Sequence, residues 1–275
     1  MSVGPFLRSL RGLSMSGRIG LGLVLFWAVA ALVGPMLAPH PVGAFVDREV
    51  FGGYSSRFPL GSDYLGRDVL SRLLSGARYT VGLGASAAIA ACMVGTGLAL
   101  VAALGNRWTD ELLSRFMDTL LSIPSKILAL VLIAAFGSSL LLLMVIAAFT
   151  YVPGNYRIAR ALAVNLNQTD FVVAARARGE RAAHIALFEI LPNMIHPLLA
   201  DFGLRFVFIV LLLSALSFLG LGVQPPAADL GSLVRENISG IVEGAPAILM
   251  PALAIATLTV GVNLLIDALP RAGRR

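Results

Sequence analysis

Residues 79–105, YTVGLGASAAIAACMVGTGLALVAALG, run for 27 positions without a single charge. About 20 apolar residues of helix cross a hydrocarbon core roughly 30 Å thick, so a run of this kind commits the chain to a membrane before any other feature is weighed. Comparable windows stand near residues 19–38, 116–136, 138–158, 198–222 and 246–267, which gives about six candidate spans. Only 13% of the chain is charged and 57% is hydrophobic, well outside the usage of soluble domains. The expected fold is an all-α membrane protein.

The glycines and alanines of 79–105 let helix backbones approach closely, so this window reads as a packed helix inside a bundle. Only Gly137, Ser138 and Ser139 separate the third and fourth windows, which predicts a tight helical hairpin. The first window follows Arg8, Arg11 and Arg18, as a signal peptide would, but its length and the spans after it favour a retained anchor.

With about six spans both termini share one side. Of the 21 basic residues, 13 fall on the side that holds the termini, six fall on the other, and Lys126 and Arg205 lie within spans. The positive-inside rule then places both termini in the cytoplasm and two substantial loops, 39–78 and 223–245, outside it. The net charge of +6 follows from this topology, because the arginines form no basic stripe that would read nucleic acid.

The chemistry of catalysis is missing from the pattern. Cys92 is the only cysteine, and His40, His184 and His196 are dispersed with no metal-ligand spacing. No G-x-S-x-G occurs, and the only lysine, Lys126 in SIPSKIL, is not in a Walker A context, so this chain is not an ATPase.

Charged residues near the spans read as local pairs. Ser62 or Asp63 is placed to cap a helix, and Asp68 and Arg72, four apart, are expected to pair on one face. That pair serves either local helix stability or an external surface helix that meets a substrate-binding protein. Asp201 and Arg205 are expected to pair near the cytoplasmic end of the fifth span. Lys126 follows Pro124 and should snorkel from a distorted helix start, with Asp118 and Arg115 at the same interface.

The polar interruption FVVAARARGERAAHIALFEILPN, residues 171–193, is the most informative stretch. Thr169 or Asp170 offers a cap, Phe171–Arg178 reads as a short helix ending at Gly179, and a second helix from Glu180 should stop near Pro192. Two helices around a glycine corner, apolar on one side and arginine-rich on the other, lie on a membrane surface or dock in a partner's groove. A solvated interfacial loop is the plainer alternative.

The spacing of Ala174, Ala175, Gly179, Leu191 and Pro192 resembles the cytoplasmic EAA loop of ABC importer permeases. Val173 stands where that motif has Glu, and Glu189 where a His or an apolar residue is usual. Residues 58–84, FPLGSDYLGRDVLSRLLSGARYTVGLG, resemble the signature of dipeptide and oligopeptide permeases, with Phe58 for His and Ser62 for Thr. Residues 217–234, SFLGLGVQPPAADLGSLV, are similar to the same subfamily's segment after its fifth span.

The resemblance implies a C-type permease of the dipeptide, oligopeptide and nickel subfamily, with a type I ABC importer transmembrane domain. It divides the chain into an amino-terminal tail, span and loop at 1–77, a permease core at 78–270 with a coupling loop at 161–195, and a basic tail at 271–275. Ala174, Ala175, Arg176, Gly179, Glu180, Leu191 and Pro192 would form the ATPase-coupling element. Gly61, Asp63, Gly66, Arg67, Asp68, Arg72 and Arg78 would form the external-loop motif. Implied partners are a second, B-type permease, two ABC ATPase subunits that bind ATP and Mg, an extracytoplasmic binding protein and membrane lipid. The chain itself would hold no cofactor.

Two rivals remain on residues alone. A secondary transporter driven by an ion gradient would carry mid-span acids and helices broken at the midplane, whereas Asp118, Asp201 and Asp267 read as lying near cytoplasmic ends. An integral-membrane enzyme would need a cluster of reactive side chains that this sequence lacks.

Overall fold

A computed structural model describes residues 14–47 and 49–272. Arg8, Arg11 and Arg48, and Arg274 and Arg275 of the basic tail, lie outside the described residues. The architecture is helical, with helices α1 (Met15–Leu37), α2 (Val69–Leu104), α3 (Arg107–Ser122), α4 (Ser125–Phe136) and α5 (Leu140–Leu166). After them come α6 (Asp170–Ala177), α7 (Ala182–Phe218), α8 (Leu230–Glu236) and α9 (Pro246–Ala272).

Five of these helices are long and apolar enough to cross a membrane, and α3 with α4 forms a bent pair that brings the number to six. The span expected near 116–136 is this bent pair, broken where a distorted helix start was expected after Pro124. α3 and α4 meet at 90° across Ile123 and Pro124. Proline at 124 drives its predecessor out of the helical region, and Ile123 has φ −89° and ψ 124°. α3 carries charges on one side, so it cannot continue the apolar path of α4. Lys126 sits exposed in the first turn of α4, beside this break.

α2 is the central post, packed against α1, α5 and α7. Its small residues set the spacing: a Cβ on Gly95 would run into Asn155 Oδ1 and lie 2.9 Å from the Val152 carbonyl oxygen on α5. Helix α1 is seated against α9 in the same way. A Cβ on Gly20 would lie 2.7 Å from the Gly261 carbonyl oxygen, and Trp27 Nε1 donates to Thr257 Oγ1 at 3.0 Å. The buried core is built largely of alanine, with Ala77, Ala87, Ala88, Ala91, Ala99, Ala159 and Ala163 sealed from solvent.

A correction concerns α7. A helix stopping near Pro192 was expected, yet the helix that starts at Ala182 runs through Pro192 and Pro197 to Phe218. Ile185–Ile190 is a π-helical turn, in which the Leu191 N–H reaches back five residues to the Ala186 carbonyl. The hydrogen-bond ladder slips by one residue there, and the proline's missing N–H falls at the junction where little is lost.

The bundle therefore has two ends. One, the loop end, carries residues 38–68 and 219–245, while the other, the hairpin end, carries residues 167–190.

Candidate functional site

At the hairpin end, α6 begins at Thr169, whose Oγ1 donates to the Leu166 carbonyl at 2.5 Å and whose side chain does not cap the helix. The helix closes on a glycine corner: the Gly179 N–H bonds the Arg176 carbonyl at 2.9 Å and the Glu180 N–H bonds the Ala175 carbonyl at 3.2 Å. These two bonds make a Schellman motif, and Gly179 supplies the φ of +82° that it needs. Open space surrounds the glycine, so the backbone conformation, and no steric contact, requires it.

The hairpin has an inner and an outer surface. Val172, Ala175, Ile185, Ile190 and Met194 are buried beneath it. Of the paired alanines, Ala175 is fully enclosed and Ala174 is exposed. On the outside Val173, the ring of Phe188, 65% exposed, and Arg176, Arg178 and Arg181 are all open to the surroundings. Arg178 is held by Glu180 at 2.7 Å and faces Glu189 at 3.7 Å, which gives the unusual acid at 189 a partner across the corner. Arg176 donates to Asn167 at 2.5 Å, and Asn167 donates to the Ala103 carbonyl at 2.9 Å, tying the hairpin to the end of α2. Leu191 is half-buried and Pro192 exposed in the helix that continues from the corner.

At the loop end, residues 61–72 form a buried charge cluster. Gly61 (φ +74°) and Gly66 (φ +71°) turn the chain where a Cβ would strike the carbonyl oxygens of Gly52 and Asp47. Asp63 Oδ1 accepts from the Leu65 and Arg67 N–H groups, each at 2.9 Å. Its Oδ2 accepts from Arg67 Nε and Arg72 Nη1, both at 2.7 Å. Glu236 closes the cluster from α8, 2.8 Å from both arginines.

The expected Asp68–Arg72 pair does not form. Asp68 is the N-cap of α2, accepting from the Leu70 and Ser71 N–H groups and from Ser71 Oγ, with His40 Nδ1 at 3.2 Å. A capping carboxylate has its lone pairs directed into the first turn, which leaves Arg72 to find Asp63 and Glu236. Neither Ser62 nor Asp63 caps a helix. Ser62 is buried, donating to the Glu49 carbonyl and accepting from the Gly52 N–H, each at 2.8 Å. Nor is there a separate surface helix here, because Val69 already opens the 36-residue α2. Arg78, further along α2, is exposed and joins none of these pairs.

The Asp201–Arg205 pair forms at 2.9 Å, as expected. From Asp201 the helix rises about 25 Å to its end at Phe218, so the pair stands towards the hairpin end of the span, with Asp201 buried between helices. Asp201 accepts from Asn155 Nδ2 on α5 at 2.7 Å, and Asn155 accepts from Thr96 Oγ1 on α2 at 3.2 Å. Glu236, Asn155 and Thr96 have no local sequence pattern that marks them as partners; only the fold brings them in.

Residues 95–275 match the family described as binding-protein-dependent transport system inner membrane component. The chain belongs to this family. It is 31% identical to the dipeptide transport system permease protein DppC of Alkalihalophilus pseudofirmus, over 91% of this chain and 83% of the relative. A putative peptide transport system permease protein of Brucella suis is 35% identical over 92% of this chain and 86% of its own length. The glutathione transport system permease protein GsiD of Pectobacterium atrosepticum is 32% identical over 90% and 80%. Membership makes the molecule a multi-pass permease of the bacterial inner membrane with a type I ABC importer membrane domain, and the relatives it matches are named as transport system permease proteins.

Proposed function

We propose that this permease is the C-type subunit of an ATP-driven importer of peptides or a closely related small solute. In this reading the hairpin end faces the cytoplasm, two ABC ATPase subunits bind ATP and Mg there, and a B-type permease completes the translocation path. An external binding protein delivers the solute at the loop end. The observation that carries the reading is mechanical. The exposed α6 surface turns at Gly179 into a helix that runs, through the π-helical turn at Ile185–Ile190, to Phe218.

A helix is stiff along its axis, so a displacement imposed on Arg176, Gly179 and Glu180 travels through Leu191 and Pro192 into the bundle core. ATP-driven closure of the ATPases would move this lever, and the bundle would rock between its two openings. The chain supplies a path and a handle; its own residues perform no bond chemistry. The amphipathic hairpin suits a groove-shaped partner, with apolar Val173 and Phe188 for burial and arginines for orientation.

The test is co-purification in mild detergent from the native bacterium. Recovery of ATPase chains and a second permease, abolished when residues 171–191 are scrambled in a chain that still inserts, is the expected result. A chain that emerges stable and alone would refute the reading.

A further inference from the structure

Arg205 lies inside the span helix that ends at Phe218, and its hydrogen bonds leave part of it unused. Nε donates to Asp201 Oδ1 at 3.1 Å and Nη2 donates to the same oxygen at 2.9 Å. Among the described residues Nη1 takes no hydrogen bond, and it lies against Gly154 of α5, where a Cβ would collide with it. A guanidinium carries five N–H donors in a planar fork. Asp201 engages one edge of that fork, and 14% of the side chain stays open, beside the outward-facing Leu204 and Phe208.

The depth makes this open edge informative. From Arg205 to Phe218 the helix rises about 20 Å, in a hydrocarbon core about 30 Å thick. Lipid tails offer a guanidinium nothing, and unsatisfied donors there are strongly disfavoured, so the open edge belongs on a polar route. Leu140, Tyr151 and Gly154 recur on one face of α5 at helical spacing, with Tyr151 stacked on Phe208 of α7 at 6.2 Å. At the top of that face a recess of about 340 Å³, mainly apolar, is lined by Ser138, Ser139, Leu140, Val223, Gln224 and Ala227.

We infer that Arg205 is a substrate-contacting residue, whose free edge receives a carboxylate of the passing peptide while Asp201 and Asn155 hold the guanidinium in place. This rests on the peptide reading above. Asp201 neutralises the arginine between passages, so the anion is held only transiently, as a translocation path requires. Gly154 keeps α5 clear of the guanidinium, and the Tyr151–Phe208 stack stands about one turn above it towards the loop end. The arginine is therefore a specificity residue on the path, and its readout differs from that of a purely structural ion pair.

The experiment uses the complete transporter, with its partner permease, ATPases and binding protein, in proteoliposomes. Uptake of tritiated di- and tripeptides with free carboxylates is measured beside the ATPase rate stimulated by loaded binding protein. Arg205→Gln should cut uptake about tenfold while the stimulated ATPase rate holds, and Arg205→Lys should recover most of the loss. Because Arg205→Gln strips Asp201 of its counter-charge, the neutral pair Asp201→Asn with Arg205→Gln is measured too and should show the same selective loss. Wild-type uptake in Arg205→Gln, or joint loss of uptake and ATPase stimulation in the neutral pair, overturns the subsite alone. A wild-type transporter that carries no peptide overturns the peptide reading, and the carboxylate subsite with it.

Discussion

Arg72 Nη1 stands 2.7 Å from Asp63 Oδ2 and 2.8 Å from Glu236 Oε2, so one buried guanidinium joins the loop before α2 to the short helix before α9. Arg72 is 3% exposed, and its Nε has no partner. An arrangement like this tolerates little change, because removing Arg72 leaves the carboxylates of Asp63 and Glu236 with Arg67 as their one remaining counter-charge in the cluster.

Arg72→Ala is therefore expected to cost about 3–5 kcal/mol. Glu236→Gln, which keeps an acceptor for both arginines, is expected to cost less. Thermal unfolding in detergent, followed by the fluorescence of Trp27 and Trp108, measures both; equal and small shifts would show that the cluster carries no stability.

Asp229 gives a pH dependence. It is buried between α7 and α8, and burial pushes its carboxyl above the usual carboxylate range, against the opposing hydrogen bonds from the Ser232 N–H and Ser217 Oγ. The folded state thus binds this proton more tightly than the unfolded state does. Its contribution to stability is highest below an ordinary Asp pKa of about 4, falls as pH rises through the raised folded value, and is level above it. Asp229→Asn should remove this component, narrowing the wild-type-minus-variant difference in melting temperature at low pH and widening it in the variant's favour as the pH rises.

Gly179 tests the coupling corner by backbone geometry alone. Its φ of +82° with open space around it predicts that Gly179→Asn is tolerated, since Asn visits the left-handed region, while Gly179→Val strains the turn by about 1–2 kcal/mol or reshapes it. Uptake should fall in the valine variant with membrane insertion unchanged. Full uptake by that variant would remove the corner from the mechanism.

The contact of α1 with α9 depends on glycine pairing. A Cβ at Gly261 would lie 2.7 Å from Leu23 Cβ, and one at Gly20 would meet the α9 backbone. Gly261→Leu should overpack this seam and destabilise the chain by about 1–3 kcal/mol. Gly22→Leu, where nothing lies within contact distance, should be silent in the same thermal assay.

How much of this was legible beforehand depends on the range of the interactions involved. Membrane class and the places of most spans follow from local composition, since an uncharged stretch such as 79–105 has no soluble alternative. The helix at 170–177 and its end at Gly179 were equally readable, because a glycine after a short amphipathic helix is a local signal. Span edges were misplaced wherever polar residues enter a helix: α2 starts at Val69 because Ser71 and Arg72, polar in sequence, are buried under the loops.

The sequence by itself determined a helical membrane bundle with a glycine-cornered hairpin, since hydrophobic length and turn chemistry act over a few neighbouring residues. Tertiary structure alone decided that Arg72 pairs with Asp63 and Glu236 and not with Asp68. It alone set Asp201 in a network with Asn155 and Thr96, and carried one helix from Ala182 through two prolines to Phe218. A buried charge takes whichever partner the packing brings within hydrogen-bond reach, and sequence separation does not encode that distance.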